Sequence, residues 1–164
     1  MQSTTLRICL WFDQQAEEAV RFYTSIFADS EIGEASYFGT EGYEHHGMPA
    51  GTVATIDFRL NHMHFTALNG GPIFTFNEAI SIVVECDTQS EIDHYWQHLS
   101  VGGEPGPCGW LKDRFGVSWQ INPHVLRDML RTKDVAAKSR VEQKLYTMQK
   151  LEIAALKSAF DSEQ

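Results

Sequence analysis

The 164-residue chain contains no apolar run approaching the ~18 residues that a membrane span needs, so a membrane is not expected among its partners. Its first residues, MQSTTLR, have no basic segment leading into an apolar core, so no secretory leader is expected and the cytoplasm is the expected compartment. Cysteine is scarce and unpaired in pattern. Cys9, Cys86 and Cys108 are odd in number and lack CxxC spacing, which argues against a disulfide framework or a paired-cysteine metal site. Cys9 and Cys86 sit in apolar runs and are expected as buried, reduced thiols. Positive charge is also short. Thirteen Lys and Arg stand against 22 Asp and Glu, and a net charge of −9 repels phosphate backbones, so nucleic acid is not an expected partner.

What remains is the composition of an ordinary globular protein, 43% hydrophobic and 21% charged, long enough for one domain or for two small modules. LRICLWF (6–12) predicts a strand, followed by Asp13 as a helix N-cap. Ala16, Ala19, Val20, Tyr23 and Ile26 fall at helical spacing, and Asp29, Ser30 and Gly33 are expected to end that helix. Strands are expected at 34–39, 52–60 and 64–68, with a polar, glycine-rich loop over 40–51 and an Asn61–His62 turn.

A second unit repeats the pattern without repeating the residues. AISIVVEC (79–86) reads as a buried strand, Thr88 and Glu91 as a capping box, and Ile92, Tyr95, Trp96 and Leu99 as an apolar helix face. After Gly102 and Gly103, GWLKD and VSWQIN flank a turn at Arg114-Phe115-Gly116, with Gly116 suited to positive φ. Lys112, Asp113 and Arg114 are expected at the solvated tip. Alternation places Ser118, Gln120 and Asn122 on one face of the last strand, and Val117, Trp119 and Ile121 on the other. From Arg127 the composition favours two helices, packed on the body or on a second subunit.

DQQAEEAVRFYTSIF, ALNGGPIFTFNEAISIVVEC and GWLKDRFGVSWQINP closely resemble the PhnB-like branch of the vicinal oxygen chelate superfamily, over roughly residues 6–124. That superfamily includes glyoxalase I, bleomycin resistance proteins and extradiol dioxygenases, and some members of the branch bear a demethylubiquinone methyltransferase label. The resemblance implies an α+β fold of paired βαβββ modules forming a cupped mixed sheet, with a C-terminal helical tail, usually as a homodimer. The expected division is a domain over 1–126, with module one at 1–68 and module two at 69–126, and a tail at 127–164.

Catalytic relatives hold a divalent metal through His and Glu on two strands of each module. Carried over one position at a time, those places fall on Ile8, near Phe65 (register good to one residue), on Ser81 and on Gln120. None is anionic or an imidazole, and a dication there has little to offset its desolvation, so no metal is expected and no other cofactor. The expected ligand pocket comprises Ile8, Phe12, Asp57, Phe65, Ser81, Ser118 and Gln120. The aromatic inventory (Trp11, Phe12, Phe65, Trp110, Trp119) suits a small, largely apolar molecule.

Other candidates are weaker. His62 and His64 could be relocated ligands of a metal-dependent lyase or dioxygenase, against the reading of solvated hairpin histidines. Glu44-His45-His46 reads as surface loop, with a lid role open to it. His94 and His98, at i, i+4, read as an exposed helix face without a third ligand. Asp57 reads as half of a structural ion pair before it reads as a base. The methyltransferase label finds no support, because both strand-to-helix turns, FDQQ and CDTQ, lack glycine.

Overall fold

The computed structural model describes residue 4 and residues 6–162, which divide into two compact units at residues 76 and 77. The first unit contains β1 (Ile8–Phe12), α1 (Ala16–Ile26), β2 (Ser30–Tyr37), the single turn α2 (Tyr43–His46), β3 (Val53–Leu60) and β4 (Met63–Asn69). The second contains β5 (Ile82–Cys86), α3 (Gln89–Leu99), β6 (Glu104–Pro105), β7 (Trp110–Lys112), β8 (Ser118–Pro123) and three helices, α4 (His124–Arg131), α5 (Val135–Leu145) and α6 (Ile153–Asp161). Each unit is a four-stranded mixed sheet, ordered β1-β4-β3-β2 and β5-β8-β7-β6. In both, the first strand pairs in parallel with the last and the other pairs are antiparallel, so the βαβββ repeat of pattern is a repeat of topology.

In the first unit Ala16, Ala19, Val20, Tyr23 and Ile26 are all buried, the face their spacing predicts. They meet the side of the sheet that carries Leu10, Phe12, Ile56, Phe58, Phe65 and Ala67. Tyr23 stacks on Phe58 (ring centroids 6.1 Å apart) and Phe58 on Phe65 (4.9 Å). The helix start differs from expectation. Its N-cap residue is Gln15, without a side-chain cap, rather than Asp13. The Ala16 amide instead donates to Asn69 Oδ1 (2.9 Å), and Asn69 Nδ2 donates to the Val53 carbonyl (3.0 Å). Asp13 lies too early in the chain to reach that first turn, and its own carbonyl accepts from the Gly71 amide.

Strand β2 begins at Ser30 rather than 34, with a register shift between Ile32 and Ala35 that takes up Gly33. The boundary between units falls after 76 rather than 68. Asn69 completes β4, the Gly70 amide donates to the Phe12 carbonyl, and Phe76 packs edge-on against Phe12.

In the second unit the Thr88–Glu91 capping box forms in full: Thr88 Oγ1 accepts from the Glu91 amide and the Glu91 carboxylate accepts from the Thr88 amide. Ile92 and Leu99 are fully buried against a side of the sheet carrying Ile82, Val84, Leu111, Trp119 and Ile121. Cys86 shares that side, and burial, with Glu91 and Asp87 nearby, pushes its thiol up to about 12. The hairpin turns at Gly116 (φ 87°), a conformation open to glycine.

Asp113 is the main correction here. It is 3% exposed rather than solvated, and its carboxylate accepts from the amides of Phe115 (2.8 Å) and Val117 (3.1 Å) and from Trp119 Nε1 (2.8 Å). The turn wraps around the acid and leaves Arg114 exposed.

The C-terminal segment is three helices, not two, and packs within its own unit. Leu126, Met129, Val141, Leu151 and Leu156 form its core. Burying a leucine of this kind contributes roughly 1.5–3 kcal/mol before entropy. The amides of Cys108 and Gly109 donate to the carbonyls of Met148 and Gln149 (both 2.8 Å), and Gln89 bonds both Leu151 and Ile153. Lys150 pairs with Asp93 on α3. The segment also starts before 127, because α4 runs straight out of β8 at His124.

Candidate functional site

Each sheet has a second side, away from α1 or α3, where polar residues gather. On the first sheet this open side carries Cys9 and Trp11 of β1, His64 and Thr66 of β4, and Asp57 and Arg59 of β3. Partners in register (Cys9 with Thr66, Asp57 with Thr66, Arg59 with His64) place them there. Ile8, Phe12 and Phe65 belong to the opposite side. Phe12 and Phe65 are 3% and 1% exposed among the α1 contacts, so the pocket face expected for these three residues is corrected. A one-residue difference of register moves every side chain of a strand to the other face. Cys9 is consequently exposed rather than buried.

Asp57 does lie on the open side, in a network. Its carboxylate accepts from Thr66 Oγ1 (2.6 Å) and pairs with Arg7, while Arg59 pairs with Asp29 (2.9 Å). The Thr66 hydrogen bond first, and Arg7 second, hold the Asp57 carboxyl below its ordinary range. A depressed carboxyl stabilises the fold above the ordinary carboxylate range and loses that contribution as pH falls through the folded value. Asp57→Asn should therefore lower the urea midpoint at about pH 7, and the gap to wild type should narrow as the pH falls below the ordinary carboxylate range. With both partners' side chains about half exposed (45% and 43%), the neutral-pH effect should stay under about 1 kcal/mol. A gap that widens in acid would refute the assignment.

On the second sheet the open side carries Ser81, Ser118, Gln120 and Asn122, together with Trp110 and Lys112. Here the expected alternation and the observed faces agree. Gln120 Nε2 donates to Ser81 Oγ (2.9 Å), and Asn122 Nδ2 donates to Gln120 Oε1 (3.3 Å). Both ends of the Gln120 amide are thus engaged within the protein.

On the same side lies a cleft of about 360 Å³, lined by Trp110, Pro105, Pro107 and Ser118. Lys112 reaches into it and pairs with Glu78, and Glu104 sits opposite Lys112 in register. The hydrogen bond to Glu78 holds the Lys112 ammonium above its ordinary pKa, and the Glu104 charge adds to the effect. Ser118 is 1% exposed, and its hydroxyl meets no hydrogen-bond partner among the described residues. Glu78 and Glu104 were not legible as site residues. The alternation in WLK, which sets Trp110 and Lys112 on one face, is the local signal available for this cleft, although Lys112 is expected at the solvated tip.

The histidines do not converge. His62 and His64 are both exposed, one at the turn and one on the open side of β4. His46 stacks on Phe38 (4.4 Å) and accepts from the Met48 amide, so it fixes the α2 turn rather than serving as loose surface. His98 Nδ1 lies 2.7 Å from the His94 carbonyl on the exposed side of α3. Among the described residues no three His, Cys, Asp or Glu side chains are grouped to hold a metal ion, and Ser81 and Gln120, two of the positions carried over from the resemblance, offer only a hydroxyl and an amide, a poor donor set for a dication. No helix among the described residues is long and apolar enough to cross a membrane.

Comparison with known proteins agrees with this geometry. The PhnB protein of Bacillus cereus is 34% identical, with a TM-score of 0.62, over 73% of this chain and 99% of that one. A Pseudomonas aeruginosa protein is 20% identical (TM-score 0.59; 74% and 98% covered). A variant of the fosfomycin resistance protein FosX from Listeria monocytogenes, solved with Mn(II) and a dihydroxypropylphosphonic acid, is 16% identical (TM-score 0.57; 80% and 100%). These last two speak for the fold, that of glyoxalase and bleomycin-resistance proteins. No curated protein matches significantly. The family model for 3-demethylubiquinone-9 3-methyltransferase matches residues 4–122, and the chain belongs to that PhnB-like family of the glyoxalase/bleomycin-resistance superfamily.

Proposed function

We propose that the protein binds a small, largely apolar molecule in the cleft on the open side of the β5–β8 sheet, without the superfamily's metal, in the cytoplasm and as a homodimer. The observation that carries the proposal is the Ser118 hydroxyl. It is buried without a partner in the lining of the cleft, which it shares with the Trp110 indole. An orphaned buried hydroxyl costs about 1–3 kcal/mol, which a ligand's polar atom can recover. Ser81 and Gln120, expected in the pocket, bond to each other on the same side of the sheet but do not line this cleft.

Two other activities fit the residues less well. Mn(II) in the FosX variant belongs to that protein; of the carried-over positions here, Ser81 and Gln120 are neutral, and Ile8 and Phe65 lie on the α1 side of their sheet, away from the open side that holds His64. Methyl transfer names the family, but Gln14 and Gln15 lead into α1 and Asp87 and Thr88 into α3, where a glycine-rich turn would cradle adenosylmethionine.

The test is a titration with benzyl alcohol, followed by the Trp110 indole N–H signal in an NMR spectrum assigned with Trp110→Phe. A saturable shift is expected, weakened about five-fold by Ser118→Ala, the equivalent of ~1 kcal/mol. Metal content of the tag-free protein is read in parallel by mass spectrometry. A stoichiometric dication that survives dialysis and disappears in His64→Ala would favour the lyase or dioxygenase alternative instead.

A further inference from the structure

The charges around the cleft select its occupant. Three ionisable side chains line it: Glu78, Glu104 and Lys112. One ammonium stands between two carboxylates, so the cleft carries a net charge of about −1, within a chain of net charge −9. Lys112 is committed to Glu78, which leaves the Glu104 carboxylate to share the same ammonium from the neighbouring strand. The apolar walls are the Trp110 indole and the prolines beside it. An indole and an under-compensated carboxylate lining one cleft both favour a weakly hydrated cation, through the ring quadrupole and by direct Coulomb attraction. An anion would meet two carboxylates and an ammonium already paired. In the same lining, the unpartnered Ser118 hydroxyl independently marks the space as one that a ligand completes.

Resting on the cleft being the binding site, we infer that it takes an organic cation: an aromatic or alkyl amine, or a quaternary ammonium, stacked on Trp110 with its charge toward Glu104. The ring body replaces water against Pro105 and Pro107. A hydrogen-bonding substituent, where the ligand has one, reaches Ser118. Lys112 and Glu78 stay paired and set the width of the mouth.

Three probes of similar size and different charge decide it: benzyltrimethylammonium, benzyl alcohol and benzoate, each titrated into the full chain at low salt while the Trp110 indole N–H is followed. The ammonium is expected to bind roughly five-fold tighter than the alcohol, and benzoate weakest. Glu104→Gln should reduce the ammonium's advantage over the alcohol to less than about two-fold, and about 0.5 M salt should do the same in the wild type. Benzoate matching the ammonium, or an ammonium preference untouched by Glu104→Gln, overturns the charge assignment and leaves the cleft standing. If none of the three probes shifts Trp110, both the cation assignment and the cleft itself fail.

Discussion

Asp113→Ala should destabilise the protein by about 3–5 kcal/mol, the largest loss expected from any single polar side chain in the second unit. The carboxylate is buried and accepts from two backbone amides and one indole N–H. Truncation leaves those three donors facing a void that excludes water, and each unsatisfied donor costs about 1–3 kcal/mol, with some relief from relaxation. Trp119, fully buried between β5 and β7, also loses the partner that orients its ring. Asp113→Asn keeps one acceptor oxygen but turns a donor toward another donor, so an intermediate loss is expected. Urea unfolding followed by far-ultraviolet circular dichroism reads both variants. The double variant with Trp119→Phe should show a coupling of at least about 1 kcal/mol, because the two residues share one hydrogen bond. An alanine variant within about 1 kcal/mol of wild type would mean that the turn does not depend on its acid.

In the first unit the corresponding result is a loss of about 2–4 kcal/mol in Asn69→Leu. Asn69 is 2% exposed and joins three elements: it lies on β4, caps the first amide of α1, and donates to the carbonyl that opens β3. Leucine keeps the number and branching of side-chain heavy atoms and is larger, so the expected loss comes from orphaning Ala16 N–H and Val53 C=O rather than from a cavity. The diagnostic is local. Amide exchange at the start of α1 should accelerate more than exchange in α3, whose own capping box is untouched. Equal acceleration in the two helices would point to a general loosening instead.

These two residues also mark where reading the chain stops being sufficient. The Thr88–Glu91 box was legible because a cap and its target lie three residues apart. The cap of α1 comes from 53 residues away, and a nearer candidate, Asp13, looked adequate by local rules. Asp113 resembled a solvated turn residue because Lys112 and Arg114 flank it. Its burial depends on Trp119 crossing the hairpin to meet it. The strand faces divide in the same way. In VSWQIN, polar and apolar residues alternate, so Ser118, Gln120 and Asn122 could be placed on one side. In ICLWF every position is apolar, the period-two signal vanishes, and nothing local marks which side Ile8 and Phe12 face. The cleft acids were missed for another reason: Glu78 lies in a connection and Glu104 on a two-residue strand, too short to show any pattern.

The sequence by itself determined the βαβββ order of both units, the apolar face of α1, half of that of α3 (Ile92 and Leu99), and the family. Those follow from periodicity and short-range chemistry, which local residue order encodes directly. Only the tertiary structure decided which side of β1 faces helix α1, that Asn69 and not Asp13 caps that helix, that Asp113 is buried, and that Trp110, Ser118, Glu78 and Glu104 border one cleft. Those outcomes depend on residues brought together across tens of positions, where hydrogen-bond satisfaction and strand register, rather than local preference, select the arrangement.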